Sequence, residues 1–133
     1  MDLQFKPVVS AEAQIKRVHY QTTIRSANHT IIADEPESLM GTDTGMNPYS
    51  LLLSSLGSCT AITLRMYIDR KQWPVDEVLV KLDLYKTDTE TLINRHITFT
   101  ADITDEQQQR LLAIANSCPI HKILTGHINI ITT

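Results

Sequence analysis

Positive charge is scarce in this chain: 12 lysines and arginines stand against 15 aspartates and glutamates, for a net charge of −3. Nucleic acid and anionic lipid are held largely through neutralised phosphate, so neither nucleic acid nor a membrane surface is expected as a partner. A long hydrophobic run is missing as well. The uncharged stretch from Tyr49 to Leu64 falls short of the ~20 residues that a membrane-crossing helix requires. It also carries Ser50, Ser54, Ser55, Ser58, Thr60 and Thr63, and a buried helix explains it better. The first six residues, Met1-Asp2-Leu3-Gln4-Phe5-Lys6, have neither a basic start leading into an apolar block nor a small-residue cleavage site. The cytoplasm is therefore the expected compartment. No internal repeat or low-complexity tract is present, and 133 residues suit one compact domain over residues 1–133.

Cysteine is the scarcest reactive residue, with Cys59 and Cys118 the only two. Thiols in a reducing compartment stay reduced unless chemistry oxidises them, so a static structural disulfide is not the expected meaning of the pair. Zinc would need more ligands at close spacing than Cys118, His121 and a distant Cys59 provide, and no metal is expected.

What is present reads as strands, a long helix, more strands and a second helix. Residues 12–24 place Ala13, Ile15, Val18, Tyr20, Thr22 and Ile24 close to period two, with one slip near Lys16-Arg17 that a bulge would absorb. Turn chemistry at Arg25-Ser26-Ala27-Asn28 and a β-rich run over 29–34 predict a hairpin. Residues 35–46, interrupted by Pro36, Gly41 and Gly45, read as loop. Asn47-Pro48 is a helix start, since asparagine caps free amides and proline at the first position loses no bond. The helix should run to about Gln72, enclosed on most faces in its first half, with Arg65, Asp69, Arg70 and Lys71 as a solvated end. Alternation of Val78, Val80, Leu82 and Leu84, and of Ile93, Arg95, Ile97, Phe99, Ala101 and Ile103, predicts two antiparallel strands with one covered face. Thr104 and Gln107 form a capping-box pattern ahead of a helix that stops at Cys118-Pro119. A short turn over 119–124 and a last strand over 128–131 complete the reading.

A nucleophilic cysteine needs surroundings that favour the thiolate. Cys59 sits mid-helix, where amides are already bonded, so a hydroxyl or a cation must come from elsewhere. Ser55, Leu56 and Thr63 share its helical face, and Ser55 and Thr63 could donate to the sulfur. Arg25 and Arg17 are the candidate cations. The competing reading of Cys59 is a small residue filling a helix crossing. Cys118 precedes Pro119, and a helical turn starting there would bring free amides to its sulfur; its competing reading is a buried helix end. His121 is a possible base, though a lone histidine is more often structural.

The run Gly41-Thr42-Asp43-Thr44-Gly45-Met46-Asn47-Pro48-Tyr49-Ser50-Leu51-Leu52-Leu53, continuing through Leu56-Gly57-Ser58-Cys59-Thr60 to Asp69-Arg70-Lys71, resembles the OsmC/Ohr family. Cys118-Pro119-Ile120-His121-Lys122, followed by Gly126, is similar to that family's second cysteine motif. The Asn-Pro-Tyr and Cys-Pro-Ile-His forms resemble a less characterised branch. The resemblance implies an α+β fold in which antiparallel sheets wrap long central helices in an intertwined homodimer. It implies thiol-dependent reduction of a small organic hydroperoxide, a peroxidase activity of oxidative-stress defence, with Cys59 as attacking and Cys118 as resolving thiol. An external dithiol reductant, and no bound cofactor, is then expected. Arg25 is the expected activating cation, and Tyr49, standing where the family commonly carries glutamate, is expected to offer its hydroxyl to the arginine or the substrate. Ser55, Leu56 and Thr63 are expected with Tyr49 at the substrate pocket. The alternative is a non-catalytic module of the same fold that binds a small molecule or senses redox state through its thiols.

Overall fold

The computed structural model describes residues 6–133. The chain divides into two compact units, one reaching to Leu51 and the other spanning Leu52–Thr133. In the first unit, β1 (Glu12–Ile15), β2 (Thr22–Ser26) and β3 (His29–Ala33) form an antiparallel sheet in the order β1-β2-β3. The expected hairpin is present, with Ser26 opposite His29 and Ala27 at a left-handed φ of 52°. The single bulged strand expected over residues 12–24 is corrected to two paired strands, Ala13 facing Ile24.

A long-range contact accounts for the break. The Tyr20 amide donates to Asp34 Oδ1 at 2.9 Å, and Gln21 N donates to the Val18 carbonyl at 3.1 Å, which turns the chain between β1 and β2. Asp34 is only 2% exposed. Its carboxylate also accepts from the amides of Glu35, Thr42 and Thr44 and from the Thr42 and Thr44 hydroxyls, both at 2.6 Å. A buried charge with this many donors is satisfied, and it organises the loop that follows β3. Gly45 lies so close to the Ile32 carbonyl that no side chain fits, and Gly41 meets the Glu35 carbonyl in the same way. The glycines of the first motif thus serve close backbone approach.

Helix α1 (Pro48–Lys71) starts as its sequence predicts. Asn47 Oδ1 accepts from Ser50 N at 2.8 Å, and proline takes the first helical position. At the other end Gln72 adopts φ 57°, Trp73 N donates to Ile68 O at 3.2 Å and Gln72 N to Asp69 O at 3.1 Å. These paired bonds form a Schellman motif, which uses carbonyls the helix leaves open. Arg65 pairs with Asp69 at 3.0 Å on this exposed end and donates to the Val75 carbonyl at 2.9 Å.

In the second unit β4 (Val75–Lys86) and β5 (Thr91–Ala101) form a long antiparallel hairpin, with an irregularity between Val75 and Glu77. Helices α2 (Asp105–Ala115) and α3 (Pro119–Thr125) follow. The capping box of α2 is complete: Gln107 N donates to Thr104 Oγ1 at 3.1 Å and Thr104 N to Gln107 Oε1 at 2.9 Å. The core joins Leu64, Tyr67 and Ile68 of α1 to Val75, Ile97, Leu111 and Ala115. Burial of each enclosed leucine here contributes about 2 kcal/mol. Arg110 Nε donates to the Tyr67 hydroxyl at 3.1 Å, tying α2 to α1.

Two expectations are corrected. Within this chain α1 is not enclosed on most faces in its first half: Leu56 is buried there, while Leu52 is 39% exposed and Ser54, Ser55 and Ser58 are exposed as well. The strand expected over 128–131 is not formed; residues 127–133 have no regular structure and make no ladder with β4 or β5. Alternating β-branched residues supply a preference, and a strand also requires a partner edge.

Candidate functional site: a thiol pair beside a cation-lined cavity

Cys59 lies halfway along α1, partly accessible, and Cys118 is the fully buried N-cap of α3. The structure brings the two thiols close enough for each to shift the other's pKa. The junction Asn116-Ser117-Cys118 makes this possible: Asn116, Ser117 and Cys118 amides donate to Ala113, Ile114 and Ala115 carbonyls, closing α2 tightly before Pro119 opens α3. That short turn delivers the second sulfur to the face of α1 that carries the first.

Burial pushes the Cys118 thiol up, but its interactions with the Cys59 thiol and with the backbone amides of His121 and Ile120 outweigh it. Its pKa ends below the ordinary thiol range. Cys59 ends above that range, first through burial and then through its interaction with Cys118 and the charge it faces there; the Ile120 amide and the Thr63 hydroxyl offset only part of this. The two thiols therefore titrate as a pair, in two steps that belong to both sulfurs together.

Arg95, from the covered face of β5, reaches residues that flank the two thiols in sequence. Its Nη1 donates to Thr60 Oγ1 at 3.0 Å, and its Nη2 donates to Asn116 Oδ1 at 2.8 Å and approaches His121 Nδ1 at 3.3 Å. A guanidinium can only donate, so Nδ1 is the acceptor and the neutral ring carries its proton on Nε2. Burial and then the Arg95 charge hold the His121 pKa below its usual value, which keeps that neutral form at pH 7. Thr60 itself donates to the Leu56 carbonyl at 2.7 Å. Arg95 and His121, with Leu52, Leu56, Ile93 and Leu124, line a cavity of about 510 Å3.

Of the residues singled out from sequence, Cys59, Cys118 and Thr63 come together, and Leu56 is a buried wall of the cavity. Ser55 is exposed, and its carbonyl accepts from the Ser58 hydroxyl at 3.1 Å. Tyr49 belongs to the first unit, 54% exposed in the first turn of α1. Arg25 also lies in the first unit, on β2, with its guanidinium 3.8 Å from the Glu12 carboxylate. In the second unit a cation, Arg95, bonds Thr60, Asn116 and His121 around the site. Its signal was present in the sequence, as a charge at an inward register between Ile93, Ile97 and Phe99. Asn116, which orients that guanidinium, had no such signal.

Fold and site define an α+β protein with a vicinal dithiol centre built between a long helix and a short one. The chain belongs to the OsmC family: the family model described as OsmC-like protein matches residues 41–133. The fold is that of solved members. It is similar to an OsmC-like protein from Mycoplasma pneumoniae at 19% identity and TM-score 0.78, covering 93% of this chain and 90% of that one. It is also similar to an organic hydroperoxide resistance protein from Elizabethkingia anophelis, at 20% identity and TM-score 0.69 over 93% and 92% of the two chains. A third, the organic hydroperoxide resistance protein OhrB of Bacillus subtilis, shares 19% identity and TM-score 0.63 over 90% and 91%. No curated protein matches the sequence.

Proposed function

We propose that this protein reduces small organic hydroperoxides through Cys59 and Cys118, as a cytoplasmic redox protein of stress defence. The observation that carries the reading is the pairing of a partly accessible sulfur with a fully buried one that interacts with it. Only Cys59 is reachable by substrate, and with one proton between the two sulfurs its residence on Cys118 leaves the thiolate on Cys59. That sulfur attacks the outer peroxide oxygen, the O–O bond breaks, and the alkoxide leaves and takes a proton to become the alcohol. Cys59 is then a sulfenic acid. Cys118 attacks it, hydroxide leaves and is protonated to water, and a Cys59–Cys118 disulfide forms. A dithiol reductant returns two electrons and two protons by thiol–disulfide exchange. The names of the hydroperoxide resistance proteins that share the fold support the same chemistry.

A homodimer is part of this reading. Leu52, Ile62 and Met66 leave apolar surface on α1, of the kind a second copy covers. Arg25 and Tyr49 are assigned to the dimeric assembly as activating cation and hydroxyl donor. The test is peroxide consumption with a dithiol reductant: Cys59→Ser abolishes turnover, and Cys118→Ser accumulates mixed disulfides of Cys59 with the reductant. Equal, negligible rates in wild type and both variants would sink the enzyme reading. Light scattering at the 15.0 kDa monomer mass would sink the dimer.

A further inference from the structure

Among the described residues Arg95 forms no ion pair with a carboxylate. Its three bonds go to the neutral acceptors of Thr60, Asn116 and His121, and the ion pairs of the described residues are Arg25 with Glu12 and Arg65 with Asp69. Half-buried cations are ordinarily paired, because a desolvated charge without a counter-charge is costly. Three of the five N–H groups of a guanidinium are taken, which leaves two. The neutral His121 ring keeps its Nε2–H without a partner among the described residues. These donors belong to a cavity of about 510 Å3 whose other walls include Leu52, Leu56, Ile93 and Leu124.

We propose that this cavity is a binding site for an organic carboxylate, the anionic group held by Arg95 and His121 and the hydrocarbon part lying between the leucines and Ile93. A carboxylate matches the flat fork of the guanidinium, and charge-assisted bonds to it are the strong ones. One cation with one neutral donor suits a monoanion; a phosphate dianion would call for a second positive group, and none lines the cavity. The apolar walls require a carbon chain behind the charge. Cavities of this size ordinarily take small organic ligands. Binding here needs no turnover by the thiols, so the inference stands apart from the peroxidase reading.

The experiment is calorimetric titration of the reduced full-length protein with octanoate and with octanamide, its neutral counterpart. Octanoate should bind saturably and about tenfold more tightly than octanamide, as expected for a charge-assisted bond. Arg95→Gln should erase that difference, and Arg95→Lys, keeping the charge and losing the fork, should restore part of it. In the unmodified protein octanoate, and not octanamide, should shift the His121 ring signals in NMR spectra, which tests the site even where a variant fails to fold. Equal affinity for both compounds, no octanoate binding, or unchanged His121 signals overturns the proposal. A protein that consumes hydroperoxide and ignores octanoate refutes this site alone; one that binds octanoate with inert thiols refutes the enzyme reading alone.

Discussion

A thiol that holds its proton cannot at the same moment attack, so proton position decides what Cys59 can do. Cys118 lies below and Cys59 above the ordinary thiol range, and the expected titration has two steps that flank the free-thiol value of about 8.5. Cys59→Ala removes the partner thiol and should move the Cys118 step upward. Thiolate absorbance measured against pH checks both statements, and a single two-proton step near the free-thiol value would contradict them. Asp34 gives a second prediction at this scale. Its donors hold the folded carboxyl far below the usual carboxylate range, so its contribution is fully present above about pH 4 and fades as pH falls further. Asp34→Asn, which turns an amide donor toward Thr42 and Thr44, should destabilise the protein at neutral pH and flatten its loss of stability below about pH 4. Denaturant midpoints across that range measure it. Thr63 was legible as a neighbour of Cys59 because helical spacing is fixed by the backbone, whereas Cys118 was tied to Cys59 only through the resemblance of its motif to the family's second cysteine motif. Arg95 was legible only as an oddity of β5, since its partners come from α1, the end of α2 and α3.

Elements carried more of their own signals. The start of α1, its end near Gln72, the capping box of α2 and the β4–β5 alternation are local rules written in adjacent residues, and the chain obeys them. The break between β1 and β2 is not local: Tyr20 reaches Asp34, fourteen positions on, and no period within residues 12–24 encodes that. The end of α1 offers a direct test. Gln72 occupies the left-handed position of a Schellman motif, a conformation that glycine adopts without the steric cost of a Cβ. Gln72→Gly should therefore raise stability by about 1 kcal/mol. The urea midpoint should rise with an unchanged slope; a fall would mean that the glutamine side chain contributes a contact of its own.

At the scale of the molecule, membership of the OsmC family was legible because two motifs flank the elements in the right order, and the family model spans both cysteine motifs. The burial of α1 was not legible, because an apolar helix reads the same whether its cover comes from its own chain or from a second one. The contact between Cys59 and Cys118 has a further meaning for chain topology. A bond there would close a loop of about 60 residues that contains the whole β4–β5 hairpin and α2, and loop-closure entropy sets its effect on the unfolded chain at about 4 kcal/mol. The oxidised protein should thus unfold at distinctly higher denaturant than the reduced protein, which unfolding curves with and without a reductant would measure. Equal midpoints would mean that strain in the folded disulfide cancels the gain. By linkage the same free energy runs the other way: folding makes this disulfide harder to reduce than the same two cysteines in a loose chain. The reductant must therefore supply a driving force that the fold itself has raised.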